Sequence, residues 1–356
     1  MSAGDTLRVY SQLTQHGAET GAELNPVLLE AFESRAAGSP ATLGGRPIER
    51  VENPADADVF ALPYTWTYYV ANERIEEAAS IANHAEALGK KLLVWHRGDL
   101  PPLYPFRNVI ACQSALYRSR HEPHEVAAPF FVEDPLPRHA GGELRLRPKP
   151  EKPVVGFWGY AQVVWPKVAY TYAANLLHNH RARRGKGLWD ITPITPATLL
   201  RARVLRILAA DSRLETRFHA SRRAFRRIDP TGDPEWRNEQ ISLFYKNVLN
   251  SDYTVCVRGY GNWSIRFYET LACGRIPVFV DTDCVLPEAG VDWKRFCVHV
   301  DRNNIESLPD RILEFHERMS PEQFLARQQE CRHLWETRLS RHGFLSHLAA
   351  AVRDLR

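Results

Sequence analysis

The 356-residue sequence lacks the segments that carry a chain to or across a membrane. Its first residues contain no basic stretch followed by an apolar core, so they do not read as a secretory signal. No run of about 18 apolar residues occurs, which argues against a membrane span. We therefore expect a cytoplasmic protein, peripheral to a membrane at most.

The sequence is also poor in signals for metal, disulfide and nucleic-acid chemistry. Its six cysteines form no C-x-x-C pair, and no histidine stands at zinc-ligand spacing, so they are expected to be free, mostly buried thiols. A net charge of +4 is too mild to indicate nucleic acid, and no aromatic RNA-stacking signature accompanies it. We expect no nucleic-acid partner.

The basic residues are distributed unevenly along the chain. Between Leu176 and Arg227 there are thirteen Lys or Arg residues against three acids. Such a basic region suits phosphates, an acidic glycan or the surface of an acidic membrane. A solvated helix face explains the pattern equally well.

The length and the alternation of segments predict two α/β domains. Short apolar segments at Leu7–Tyr10, Val59–Leu62, Lys91–Trp95 and Val109–Cys112 alternate with helical stretches, as in a parallel sheet. A Gly-, Pro- and base-rich linker follows, and a second alternating series begins with a strand at Val154 and continues into one long basic helical region. We expect an N-terminal acceptor-binding domain over 1–148, a C-terminal donor domain over 149–320, and closing helices over 321–356 that pack back on the first domain.

The segment from Phe244 to Pro287 is the most informative, because it reads as helix, strand, polar loop, helix and strand. Its loop follows a strand end, where open α/β sheets bind ligands, and Gly259 and Gly261 allow the backbone to approach one closely. Free amides at the start of the next helix and the Arg266 guanidinium suit a diphosphate, while Glu269 on the same helix face suits ribose hydroxyls. Ser264 fits either a helix cap or a ligand contact.

This segment resembles the C-terminal signature of the exostosin-type glycosyltransferases, in which S-x-R-x-x-E precedes a G-x-I-P-V strand. Here the signature is Ser264, Arg266, Glu269 and Gly274 to Val278. The stretches NPADADVFALPY and YRSRHEPHEVAAPFFVEDP are similar to the family's first domain, so that the resemblance covers Val51 to Val300.

The resemblance implies a GT-B fold, with two Rossmann-like domains facing each other across a cleft. It also implies an inverting transfer from a nucleotide-sugar, with UDP favoured by family habit, to a saccharide or glycoconjugate, and no required metal or other cofactor. Polysaccharide biosynthesis is the corresponding role. The position of the polar loop and the signature together predict the donor-site residues Arg258, Gly259, Gly261, Asn262, Trp263, Ser264, Arg266 and Glu269. Tyr260 and Trp263 lie within the loop and are placed for sugar stacking.

An inverting transfer needs a base from the first domain and cations around the leaving diphosphate. Candidate bases follow the strand LLVW, with His96 first and Asp99 next. Tyr64, Thr65, Glu133 and Asp134 remain open alternatives, and His96 could equally be a structural residue. Further diphosphate candidates in the basic region are Arg217, Arg222 and Arg223.

One motif and one function compete with this reading. Asp281 and Asp283 form a D-x-D pattern that could hold a divalent cation, although such short patterns often arise by chance. The main alternative function is a non-catalytic glycan-binding or partner subunit that keeps the fold. A nucleotide-sugar isomerase or a phosphorylase would share the fold but lacks support in the motifs.

Overall fold

The computed structural model describes residues 6–13, 23–36, 48–222, 233–287 and 290–355. These residues form two parallel sheets flanked by helices, so that the predicted α/β class with two Rossmann-like units is correct. Among the described helices, none combines the length and the apolar character needed to cross a bilayer.

The first sheet has six parallel strands in the order β2-β1-β3-β4-β5-β6. Three of its inner strands are buried along their whole length and apolar except at the last residues of two of them, as expected where helices cover both faces of a parallel sheet. The strands are β1 (Leu7–Tyr10), β2 (Ile48–Val51), β3 (Val59–Ala61), β4 (Leu92–His96), β5 (Val109–Gln113) and β6 (Glu125–Ala127), and the helices are α1 (Pro26–Ala36), α2 (Trp66–Ala71), α3 (Ile75–Ala87) and α4 (Leu136–His139).

The second sheet has five parallel strands in the order β11-β10-β9-β7-β8. Its strands are β7 (Val154–Tyr160), β8 (Glu215–Ser221), β9 (Tyr253–Cys256), β10 (Ile276–Asp281) and β11 (Val298–Asp301). Its helices are α5 (Trp165–Arg183), α6 (Ala197–Ala210), α7 (Pro234–Leu249), α8 (Ile265–Ala272), α9 (Trp293–Phe296), α10 (Leu308–Glu317) and α11 (Pro321–Leu334).

Strand β8 corrects the prediction of one long basic helical region after β7. It lies at the edge of the sheet and pairs only with β7 among the described strands. Its sequence ETRFHAS alternates, with Phe218 and Ala220 partly buried against the second core, but its polar and basic residues match the basic stretches on either side.

The C-terminal helices divide between the two domains. Helix α11 packs in the second core through Phe324 and Cys331. After a π-helical turn at Trp335–Leu339, α12 (Arg341–Asp354) places Phe344 and Leu348 in the core of the first domain. The chain therefore returns to the first domain at α12 and not at residue 321.

Candidate functional site

The carboxyl ends of β7 and β9 lie beside the loop that leads from β9 into α8, and three arginines converge there. Arg201 of α6 donates to the carbonyls of Tyr160 (3.0 Å) and Arg258 (2.8 Å). Arg266, in the first turn of α8, lies over the Phe157 ring at 4.6 Å. We call Arg201, Arg258 and Arg266 the arginine cluster.

Arg266 and Arg258 both repel the charge of Arg201. Burial and repulsion from Arg266 and Arg258 lower the pKa of Arg201 to about 9, despite attraction to Asp99. Burial likewise lowers the pKa of Arg258, and repulsion from Arg302 adds to the effect. A buried field of this sign favours an anion at the strand ends.

Arg258 is nevertheless held firmly by the protein. Its guanidinium donates to the carbonyl of Thr195 at 2.7 Å and to the carbonyls of Gly259 and Tyr260, both at 3.2 Å. These bonds tie the loop after β9 to the segment that enters α6. Arg258 therefore shapes the loop and contributes charge, while Arg201 and Arg266 flank it.

Ser264 stands at the N-cap position of α8, yet its side chain makes no capping bond. Its hydroxyl is buried, only 7% of the residue is exposed, and within the described part of the chain the oxygen has no hydrogen-bond partner. Because a buried hydroxyl without a partner is costly, its position beside the first amides of α8 favours a ligand contact over a cap.

Glu269 lies one turn further along α8, on its inner face. It is 1% exposed, and its Oε1 accepts a hydrogen bond from the Tyr245 hydroxyl at 3.1 Å. The Tyr245 ring in turn stacks on His139, with centroids 4.4 Å apart. This arrangement fixes the direction of the carboxylate.

Gly261 serves the contact between the domains. Its amide donates to Asp99 Oδ1 at 3.2 Å, and a Cβ at this position would lie 2.5 Å from the Asp99 carbonyl oxygen. At Gly259 a Cβ would meet nothing closer than 3.8 Å. The close approach that the glycines were expected to provide is therefore made by Gly261, and to the first domain.

Asn262 and Trp263 also contact the first domain. The Asn262 side chain is fully buried and donates to the carbonyls of Leu116 (2.9 Å) and Asp283 (3.1 Å). The Trp263 indole stacks on Phe130 with centroids 4.5 Å apart. These two members of the proposed donor site act in the structure as interdomain contacts.

Asp99 brings a carboxylate from the first domain to the edge of the arginine cluster. It follows β4 and contacts the loop at Gly261. Burial raises the pKa of Asp99, and the Gly261 amide, the Trp263 indole and Arg201 offset only part of this rise. A carboxylate with a raised pKa is a stronger base once it is ionised.

His96, the first candidate base, lies deeper than Asp99. It is 1% exposed, its Nε2 contacts the Leu100 carbonyl at 2.9 Å, and its Nδ1 lies 3.4 Å from Thr67 Oγ1. Burial lowers its pKa to about 4, against the Leu100 contact. The ring supports the turn that presents Asp99, so we carry Asp99 and not His96 forward as the base.

The D-x-D motif holds the two domains together. Asp281 Oδ2 pairs with Arg118 at 2.5 Å, and Asp283 Oδ1 accepts from the Ser119 amide at 3.2 Å. We call these contacts the clasp. Burial would raise the pKa of Asp281, but hydrogen bonds with His299 and Arg118 outweigh it and hold the pKa well below its usual range. Within the described ranges, no group of three or more metal-ligating side chains forms.

The remaining arginine candidates differ in position. Arg217 lies on β8 opposite Gly156, four residues before the strand ends, and bonds Glu215 and the Asn250 carbonyl. It is therefore away from the arginine cluster. Arg222 follows the end of β8 and donates to Gln162 at 2.8 Å. It therefore lies at the same carboxyl end of the sheet as the arginine cluster. Arg223 lies outside the described residues.

One comparison with known proteins matches the region that contains the arginine cluster. The Exostosin GT47 domain matches residues 201–315, which contain the whole arginine cluster and the S-x-R-x-x-E motif. A rice protein (Oryza sativa subsp. japonica) named "Probable glucuronosyltransferase" is 34% identical over 76 residues. That match spans 21% of this chain and 17% of the rice protein.

Among solved structures, a glycosyltransferase from Rickettsia africae aligns over 99% of both chains, at 11% identity and a TM-score of 0.40. This likeness is too distant to support an inference. The domain match, however, confirms the resemblance to the exostosin-type glycosyltransferases in the region that carries the site. The matched region is about a third of the chain, and the first domain lies outside it.

Proposed function

We propose that this protein is a glycosyltransferase that binds a nucleotide-sugar at the arginine cluster and transfers the sugar to a saccharide or glycoconjugate. The observation that carries the proposal is the gathering of Arg201, Arg258 and Arg266 at the start of α8, where burial and mutual repulsion lower the pKa of Arg201. Such a site favours a group with the charge of a diphosphate.

The donor's groups are assigned by charge and hydrogen bonding. The diphosphate lies against Arg266, the Ser264 hydroxyl and the first amides of α8, with Arg201 behind them. The ribose hydroxyls donate to Glu269, whose carboxylate Tyr245 holds in place. Arg222 adds charge at the neighbouring strand end, and Arg217 has no part in the site.

Asp99 is the proposed base. The acceptor hydroxyl gives its proton to the Asp99 carboxylate while its oxygen bonds the anomeric carbon. The bond from that carbon to the diphosphate oxygen breaks, and its electron pair leaves on the diphosphate, where the arginine cluster stabilises the charge. A single displacement of this kind inverts the anomeric configuration.

The identity of the nucleotide's base, the inversion of the anomeric configuration and the independence from metal also belong to this proposal. UDP is favoured because the exostosin-type resemblance favours it. The clasp supports a site without a divalent cation, since Asp281 and Asp283 bond Arg118 and Ser119. NMR spectroscopy of the donor and the product compares their anomeric configurations, and retention would overturn the proposed inversion.

The test of donor binding is calorimetric titration of the full chain with UDP, GDP and their sugars, with and without magnesium. We expect micromolar affinity for one nucleotide, indifferent to magnesium and weakened at least tenfold by Glu269→Ala. Tyr245→Phe should weaken binding less, because it removes only the group that orients the carboxylate. Arg217→Ala is the matched control and should bind as wild type does.

The other outcomes are equally informative. A chain that binds no nucleotide but binds oligosaccharides would be a glycan-binding subunit, and the proposal would fail. Binding that requires magnesium would contradict metal independence and return attention to Asp281 and Asp283.

A further inference from the structure

Helix α5 exposes its large apolar side chains, and two of its three buried residues are asparagines, unlike a helix that packs an apolar face against a core. Five of the eight exposed large hydrophobic residues among the described residues lie on this one helix. Trp165 is 70% exposed, Tyr170 76% and Leu177 55%. We call the set the α5 apolar face; it comprises Trp165, Tyr170, Tyr172, Leu176 and Leu177.

The buried stripe of α5 is attached to the protein mainly by polar contacts. Asn175 and Asn179 are 2% and 4% exposed. The Asn179 amide exchanges hydrogen bonds of 2.7 and 2.8 Å with the backbone of Thr192, and Asn175 donates to the Pro193 carbonyl at 3.1 Å. The orientation of the helix is therefore fixed, and the apolar side is held toward solvent.

The spacing of the exposed residues makes them one continuous surface. At 3.6 residues per turn, Trp165, Tyr172 and Leu176 form one row, and Tyr170 and Leu177 form a second row about a third of a turn around the helix. The exposed Ala169 and Ala173 lie between the two rows, so that the apolar surface is continuous. A patch of large apolar side chains confined to one helix marks an interaction surface, because scattered hydrophobic residues alone would not align.

The charge next to this face indicates what covers it. No acidic residue occurs from Trp165 to Trp189, whereas exposed bases follow the face at the end of the helix. In the described part of the chain none of these bases makes an ion pair. They are Arg181, Arg183, Arg184 and Lys186.

We propose that the α5 apolar face docks on an anionic membrane surface. Tryptophan, tyrosine and leucine side chains enter the interface between headgroups and acyl chains, and neighbouring arginine and lysine side chains pair with anionic headgroups. An acidic glycan would match the bases but would leave the aromatic and leucine side chains in water.

The position of α5 connects this surface with the site. Asn175 accepts a hydrogen bond from the Tyr260 hydroxyl at 3.1 Å, and Tyr260 belongs to the loop of the arginine cluster. Docking would place that loop beside the bilayer, where an acceptor carried on a lipid is within reach. This consequence rests on the proposed function, whereas the docking itself does not.

The test is sedimentation of the full chain with vesicles, which requires no substrate. One set is pure phosphatidylcholine, and the other contains equal parts of phosphatidylcholine and phosphatidylglycerol. We expect binding to the anionic vesicles, with the partition coefficient reduced at least about tenfold by Trp165→Ser combined with Leu177→Ser. Replacing Arg181 and Arg184 by serine should reduce it by about tenfold as well.

Matched controls separate docking from general surface effects. Leu88 and Leu103 are exposed apolar residues elsewhere (40% and 41%), and their double serine variant should bind as wild type does. Arg206→Ser with Lys294→Ser removes two exposed bases outside α5 and should also have little effect. Circular dichroism of each variant confirms its fold, which these exposed positions should preserve.

Three results would overturn the proposal. The first is absence of binding to anionic vesicles, and the second is wild-type binding by the Trp165 and Leu177 variant. The third is a wild-type dimer in light scattering that this variant converts to monomer while vesicles stay unbound, because a second copy would then cover the face. Nucleotide affinity measured in parallel keeps a failure of docking distinct from a failure of the donor site.

Discussion

The carboxyl ends of the two sheets meet at the same junction but carry opposite chemistry. The second sheet presents the arginine cluster beside the unpartnered hydroxyl of Ser264. The first sheet presents the Asp99 carboxylate. The buried His96 ring contacts the Leu100 carbonyl and so holds the turn that contains Asp99. Two similar α/β units thus offer an anion site on one side and a proton acceptor on the other. The difference between them follows from a few side chains at the strand ends.

The largest expected effect comes from the acidic side of this comparison. Asp99→Asn should lower kcat by about 10²- to 10⁴-fold, because it removes the proposed proton acceptor without changing its shape. Initial rates with the donor identified by titration measure this effect. Arg97→Ala, at an exposed neighbouring position, is the control, and an unchanged kcat in Asp99→Asn would exclude Asp99 as the base.

The pH dependence of kcat sharpens the same point. Because the pKa of Asp99 is raised above 3.8, the wild-type rate should fall as pH drops through that raised pKa and the carboxyl becomes protonated. The Asp99→Asn variant should lose this acid limb. An acid limb that persists in the variant would belong to another group.

On the cationic side, Arg201→Ala should weaken nucleotide binding by about tenfold to a hundredfold, the range of a charged hydrogen bond. The same change removes the repulsion that Arg201 exerts on Arg266 and Arg258. The fall in kcat can therefore differ from the fall in nucleotide affinity. Titration calorimetry measures the affinity, with Arg217→Ala as the distant control. Equal affinities for the wild type and Arg201→Ala would remove Arg201 from the site.

A larger side chain at Gly261 should strain the contact between the two domains. Gly261→Ala places a Cβ 2.5 Å from the Asp99 carbonyl, so we expect a loss of about 1–3 kcal/mol in the free energy of unfolding. Gly259→Ala meets nothing closer than 3.8 Å and should cost less. Urea denaturation measures both variants. If Gly261→Ala and Gly259→Ala had equal free energies of unfolding, the close approach of the two domains at Gly261 would be contradicted.

The smallest effect is expected at the clasp. Arg118 is mostly exposed, so Arg118→Ala should cost about 1 kcal/mol or less at neutral pH. The pKa of Asp281 is depressed, so its contribution is present above the ordinary value of 3.8 and is lost as pH falls through the folded pKa. Thermal melts below pH 3.8 should therefore show the variant losing less stability than wild type does.

Sequence patterns indicated the sheets well where strands are buried. The apolar segments at Val59, Lys91 and Val109 each became a strand within about a residue of the expected bounds. Strand β8 was missed because its short alternation, ETRFHAS, stands among basic residues and has only two partly buried apolar side chains. The loop after β9 was located correctly because its motif joins a strand end to a helix start.

The site was harder to predict from sequence. Arg201 was one of thirteen bases in the basic region, and only the packing of α6 brings it to the ends of β7 and β9. Asn262 and Trp263 looked like donor contacts because a polar loop does not reveal which neighbour it faces. The apolar face of α5 was hidden as well, because the sequence of a helix does not show whether its apolar residues face a core or solvent.

The most direct test of the arginine cluster measures how much the second phosphate of a nucleotide adds to its affinity. Calorimetry with UMP and UDP on the wild type and on Arg266→Ala isolates that gain, because base and ribose contacts cancel. We predict that wild type binds UDP at least about tenfold more tightly than UMP, and that Arg266→Ala removes most of this difference. An advantage of UDP that is equal in both proteins would contradict the account.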